Sequence, residues 1–578
     1  MVLGEVIHRA LGDKPVDLLL TGARIINVAS AEIHEGCLAV ADGTIVGFEP
    51  LPARETLDLE GRYAAPGFID GHIHLESSMV LPAEFARAVV PWGTTAVVTD
   101  PHEIANVLGP DGVRLLLALS EGLPLTVYCL LPSMLADPQW ETPGARWTAR
   151  DFARLKQESR VVGLAEVPAT AVVGGDTRML ARLAWMQGRP IDGHAPGVTG
   201  RELSALAAVG IRSDHESVAL EEAAAKLRVG FTVMIREGTA AKNLAALLPL
   251  VRPETVRRFL LVTDDVHPTD LVEGGHLAAL VSAATRAGLD PVSAVQMVTC
   301  NVAEYFRLPR RGALLPGYRA DIVVFEEWDP LRPTLVLAAG QVVAREGVYF
   351  GPVRQASPAH LVNTVRIAPI ALEDLSIPAG GEEVRVIEVV PDQILTRQRV
   401  EAPPVVGGLV VADPAGDLAK LVIVERHRAT GNVGLGLVRG LGLRRGAVAS
   451  SVAHDAHHLI AAGVDDADLL RAVETVAAMG GGFAVVDGGQ VTAQLALPVA
   501  GLLSPEALPT VATNCVRCVE AARQLGSPLE NPFMTLSFLA LPVIPDLKLT
   551  DRGLVDVAAG RRVELFVGRG AEEKTNEG

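Results

Sequence analysis

The stretch Pro66-Gly67-Phe68-Ile69-Asp70-Gly71-His72-Ile73-His74 joins an apolar run to two histidines one residue apart. Alternate side chains of a β-strand share a face, so a strand here offers the imidazoles of His72 and His74 to one metal ion. The same spacing also arises on solvent-facing strands that bind nothing. The pair alone therefore nominates a site, and its weight depends on what the rest of the chain places beside it.

From Gly67 onward, apolar strand-like runs alternate with helical segments rich in alanine and leucine. Strands are expected at residues 68–72, 95–99, 125–130, 161–166, 190–194, 210–215, 231–235 and 259–263, with helices such as 111–121, 221–228 and 276–287 between or after them. Eight such units predict an α/β fold built on a (β/α)8 barrel. Before it, residues 16–63 read as short strands, with Ala41-Asp42-Gly43-Thr44 as a hairpin signal. After it, Ala320-Asp321-Ile322-Val323-Val324-Phe325 and Gly340-Gln341-Val342-Val343 are strands again, which predicts a return to complete the N-terminal β unit. The expected domains are residues 1–65, the first part of a small β-sandwich unit; 66–308, the barrel; 309–355, the return strands; and 360–570, a C-terminal α+β domain. A less patterned linker is expected near residues 351–360 and a low-complexity tail at 571–578.

The length, 578 residues, exceeds one ordinary core, and 49% hydrophobic residues supply several. Lysine and arginine number 51 against 68 acidic residues, a net charge of −17 that argues against nucleic acid or an anionic membrane as partner. No basic start with an apolar segment opens the chain, and no apolar run is long enough to span a bilayer. Five scattered cysteines suggest no disulfide framework, so a cytoplasmic protein is expected.

Barrel enzymes carry their chemistry at the C-terminal strand ends. Those ends give His72 and His74 (first strand), Glu166 (fourth), His194 (fifth), His215 (sixth) and Asp264 (eighth). Six metal-capable side chains at such positions suit two divalent ions, with Glu166 as the bridge. A competing pattern, His74-Leu75-Glu76 with Cys515-Val516-Arg517-Cys518, imitates the zinc signature of cytidine-type deaminases. Asn514 stands where that signature has proline, and the halves lie far apart, so Cys515 and Cys518 are expected to be one turn of a packed helix face.

The opening stretch also resembles the signature of the amidohydrolase superfamily. Leu75-Glu76-Ser77-Ser78-Met79, Asp100-Pro101-His102-Glu103-Ile104-Ala105-Asn106-Val107, Asp192-Gly193-His194-Ala195-Pro196-Gly197, Ser213-Asp214-His215-Glu216 and Arg236-Glu237-Gly238-Thr239-Ala240-Ala241-Lys242-Asn243 resemble one branch, the bacterial adenine deaminases. Glu425-Arg426-His427-Arg428-Ala429-Thr430-Gly431, Gly446-Ala447-Val448-Ala449-Ser450-Ser451-Val452-Ala453-His454-Asp455 and Leu541-Pro542-Val543-Ile544-Pro545 resemble the C-terminal domain of that branch, so the likeness spans nearly the whole chain. One departure stands out: the family commonly has Met-Asn after the bridging glutamate, whereas this chain has Val167-Pro168-Ala169, which bears on the shape of the pocket there.

The resemblance implies a metal-dependent hydrolase that converts adenine to hypoxanthine and ammonia in purine salvage, with two ions, manganese or iron, zinc also being compatible with mixed nitrogen and oxygen ligands. In that chemistry a divalent cation lowers the pKa of bound water. Asp264 is expected to orient the water and shuttle its proton, Glu166 to bridge the ions, and Glu103, with His102 as helper, to protonate the ring. Arg236, Glu237, Asp265 and His267 are candidates for substrate contacts, with a structural Arg236–Glu237 pair as the alternative for the first two. The expected partner is the small molecule adenine, with no nucleic acid and no membrane, and the chain is expected to form a homo-oligomer. Two rivals remain at this stage. A cyclic amide or hydantoin hydrolase would generally have a carboxylated lysine where Glu166 stands, and a catalytically silent binding relative would have no use for six converging ligands.

Overall fold

In the computed structural model, which describes residues 3–239, 241–351, 364–390, 393 and 395–568, the opening stretch forms the first strand of a parallel barrel. Its strands are β1 (Phe68–His74), β2 (Thr94–Thr99), β3 (Thr126–Leu131), β4 (Val161–Pro168), β5 (Ile191–His194), β6 (Ser213–Asp214), β7 (Thr232–Arg236) and β8 (Phe259–Val262, resumed at Asp264–Asp265). β1 to β5 pair in sequence, as do β6 to β8, and every pairing is parallel. The backbone N–H of Arg212 donates to the carbonyl of Ile191 at 3.2 Å, linking β5 to β6. Asp264 and Asp265 pair with Ile73 and His74, which closes the ring.

The strands lie where the apolar runs put them, with shorter ends. β6 is reduced to two residues against the expected 210–215, so His215 sits in the loop beyond it. β8 breaks at Thr263 because Asp264 takes φ 63°, a left-handed conformation that interrupts the pleat. Within the barrel Ile69, Val98, Leu130, Val162, Leu260 and Val262 share a core with Phe306.

The segments flanking the barrel build one nine-stranded sheet. Ile322–Phe325 pairs antiparallel with Tyr63–Pro66, so the return strands join the N-terminal ones. On this sheet Leu20, Ile25, Leu38 and Val40 share a core with Leu335 and Leu337. Asp42 and Gly43, at φ 45° and 69°, turn the expected hairpin.

These parts make up the first of two compact units; the second consists of residues 103–109, 135–146 and the described chain from 364 onward. An eight-stranded sheet runs through the second unit, with helices Asp466–Ala478, Leu508–Gln524 and Pro532–Phe538. Cys515 and Cys518 are buried on the long helix, one turn apart, as a packed face requires. Asp551 anchors the 135–146 segment by accepting from the Thr142 backbone N–H (2.9 Å) and hydroxyl (2.6 Å), from Asn432 (2.9 Å), and facing His458 at 3.3 Å. The expected linker at 351–360, Gly351 apart, and the tail at 571–578 lie outside the described residues.

Candidate metal centre

β1 delivers two imidazoles to one point: Nε2 of His72 and of His74 lie 3.0 and 2.8 Å from the same oxygen, Oε1 of Glu166. They also lie 3.4 and 3.3 Å from Oδ1 of Asp264. His215 approaches Glu166 Oε1 at 3.8 Å, and His194 approaches Oε2 at 3.9 Å. All six residues expected at the strand ends thus converge, with Glu166 at the centre. Both carboxylates stand in left-handed backbone conformations, φ 34° for Glu166 and 63° for Asp264. Such strain in non-glycine residues is held only where the surroundings enforce it, and it gathers at functional sites.

The supports are visible. Ser133 donates its hydroxyl to the Glu166 carbonyl at 2.8 Å, holding the bend at the end of β4. Fully buried Asp70 ties β1 to β8 by accepting from the His72 N–H (3.2 Å) and from the Thr263 hydroxyl (2.6 Å) and N–H (3.3 Å), one residue before Asp264. Burial pushes the Asp70 carboxyl up to about 7 against these bonds. Pro168 ends β4 and opens helix Ala169–Val173, so the unusual Val167-Pro168-Ala169 segment makes a strand-to-helix turn next to the ligand.

The donor set suits divalent cations. Burial opposes protonation of His72, yet Asp264 and Glu166 outweigh it and carry the ring up to about 10. Burial likewise opposes ionisation of Asp264, but the Arg236 guanidinium and the two histidines hold it well below the usual carboxylate range. Buried carboxylates and imidazoles arranged this way call for positive charge between them, and a metal ion supplies it while leaving the rings neutral. Nε2 of His72, Oε1 of Glu166 and Nδ1 of His194 face into the cluster and, close as they lie, are buried without a well-formed hydrogen bond, which fits groups directed at an ion.

Around this core the structure sorts the remaining candidates. Arg236 does not pair with Glu237. Its guanidinium bonds Asp264 Oδ2 at 2.9 Å and Glu216 at 2.8 and 3.0 Å, because the end of β7 points it at the neighbouring β6 and β8 loops. Half-buried Glu237 instead accepts the Leu244 N–H at 2.7 Å. Asp265 accepts the Ser77 hydroxyl. His267 is buried, which lowers its pKa, and its backbone N–H donates to Thr239 at 2.9 Å. His102 packs its ring 4.9 Å from that of His74 and holds Asp100 at 3.1 Å, and Glu103, the next residue, is buried.

The sequence reading passed over Glu216, which lies 3.2 Å from His215 and 3.4 Å from His194. On a strand, neighbours face opposite ways, so a residue next to a ligand is discounted; past the short β6 that rule lapses. The reading also left Asp100 unassigned, although it stands two residues before His102.

Residues 63–344 match the Amidohydrolase family, and residues 393–561 match the Adenine deaminase C-terminal domain. Adenine deaminase 2 of Carboxydothermus hydrogenoformans is 46% identical over 96% of this chain and 98% of its own length. The chain belongs to the adenine deaminase family. Two further members, the adenine deaminases of Methanothrix thermoacetophila and Desulfatibacillum aliphaticivorans, are 46% and 43% identical over 98% of the chain and the whole of theirs. The family assignment agrees with a hydrolase barrel whose strand ends present a buried cluster of metal-capable side chains.

Proposed function

We infer that the protein hydrolyses adenine to hypoxanthine and ammonia at the cluster centred on Glu166. The observation that carries this is the convergence of His72, His74, His194, His215, Asp264 and Glu166 in a chain of this family. His72, His74 and Asp264 would hold one ion, His194 and His215 the other, and Glu166 both; manganese or iron is our assignment. When bound, the ions supply Lewis acidity that makes water a nucleophile at neutral pH.

Asp264 takes the proton of the attacking water through Oδ1 while Arg236 fixes Oδ2. The same carboxyl then returns the proton to the leaving amine, so that water adds at C6 and ammonia departs. Glu103, with His102 as its helper set by Asp100, serves the ring nitrogen as C6 becomes tetrahedral. Arg236 thereby takes a positioning part in place of direct purine contact, and Glu216 anchors its other side. Asp265 and His267 remain candidates for substrate contacts. Buried groups paired to an amidine are left unpaired by a lactam, which disfavours retention of hypoxanthine.

No helix among the described residues is long and apolar enough to cross a membrane. With all five cysteines free, a cytoplasmic salvage enzyme is the reading we adopt. Ammonia release from adenine, adenosine and dihydroorotate by manganese-loaded protein tests the assignment. Turnover of adenine alone is expected. Ring opening of dihydroorotate without ammonia would place the protein with the cyclic amide hydrolases, and binding without turnover would make it a silent relative.

A further inference from the structure

Lys226 lies on helix Leu220–Arg228, after β6, and its side chain is fully buried. An ammonium in an apolar interior is costly unless every donor is engaged. Here the three N–H groups of Nζ are shared among four acceptors, the Ala195 carbonyl (2.7 Å), Asp214 Oδ2 (2.8 Å), the Ser217 hydroxyl (3.1 Å) and Glu222 Oε1 (2.7 Å). Its two carboxylate partners reach onward to main chain. Asp214 accepts from the N–H groups of Ala195 (3.0 Å), Glu216 (3.1 Å) and Ser217 (3.0 Å), and Glu222 accepts from that of Gly197 (2.7 Å).

Ala195 directly follows His194, and Glu216 directly follows His215. One buried cation therefore laces together two loops that have no regular strand pairing at these positions. We propose that Lys226 is a positioning residue of the active centre, fixing the spacing between the loop that presents His194 and the loop that presents His215 and Glu216. The centre needs such a brace because β6 has only two residues and cannot set its loop by sheet hydrogen bonds alone. Supporting shells of this kind typically affect metal affinity or activity by about 10–100-fold.

The inference rests on the reading of His194 and His215 as ligands, and the test separates the two. The full chain, Lys226→Met, and Lys226→Met combined with Glu222→Gln are stripped of metal and titrated with Co2+, following visible absorption, and are assayed for kcat and KM. The double variant removes one buried negative charge together with the ammonium, so it leaves less unpaired charge in the interior than the single one. The Co2+ dissociation constant is expected to rise about 10–100-fold and kcat to fall by a similar factor, with KM for adenine little changed. Val324→Ala, a core truncation in the flanking sheet, lowers Tm and should leave Co2+ affinity as it was. Folded variants that bind Co2+ as tightly as the native chain would overturn the role of Lys226, whereas a native chain that binds no Co2+ would overturn the ligand reading itself.

Discussion

Asp264→Asn is expected to lower kcat on adenine by about 10²–10⁴-fold while most of the bound metal stays in place. Asparagine keeps the shape of aspartate and one oxygen able to face His72 and His74, now 3.4 and 3.3 Å from Oδ1. What it loses is the capacity to accept a proton. If its amide nitrogen turns to the position of Oδ2, it meets the Arg236 donor at 2.9 Å and the clamp fails as well. Both losses act on the step in which the attacking water gives up its proton. Ammonia release and metal content per chain, measured on one preparation, separate them: a low rate with metal retained supports the shuttle, and an unchanged rate removes it.

Glu166→Ala is expected to have the larger effect, abolishing metal retention and activity together. Three groups of metal-capable residues within the first unit all include Glu166: one with His72, His74 and Asp264, one with His74, Asp100 and His102, and one with His194 and His215. No other residue belongs to all three, so its removal weakens each ion's site at once. The buried imidazoles also lose the negative charge that lies 3.0 and 2.8 Å from Nε2 of His72 and of His74. In metal-free protein that carboxylate is a counter-charge of the two imidazoles, and removing one partner of a buried ion pair costs about 3–5 kcal/mol, so Tm should fall there too. Titration with Mn2+ and thermal unfolding of stripped protein check both parts; a variant that holds metal as tightly as the native chain would show that Glu166 does not join the sites.

The barrel was legible because its strands are buried on both faces and so appear as continuous apolar runs, and because chemistry on this fold gathers at known strand ends. His72, His74, Glu166, His194, His215 and Asp264 could be named from position alone and are found together. Glu216 was hidden by strand parity, since the length of β6 cannot be read from Gly210-Ile211-Arg212-Ser213-Asp214-His215. The partner of Arg236 was hidden for another reason: the arginine reaches sideways to two other loops, and sequence proximity favoured Glu237. Lys226 reads in sequence as one more charge on an amphipathic helix, and only the fold turns it inward. Nothing in composition or periodicity signals that residues 103–109 and 135–146 group with the C-terminal unit, because that grouping depends on long-range packing such as Thr142 with Asp551.

The most direct test of the whole account is removal of metal. Protein treated with a strong chelator until elemental analysis finds no divalent ion should release no ammonia from adenine, and adding back Mn2+ should restore the rate, reaching its maximum at two equivalents per chain. Full activity in the stripped protein would contradict the account at its root.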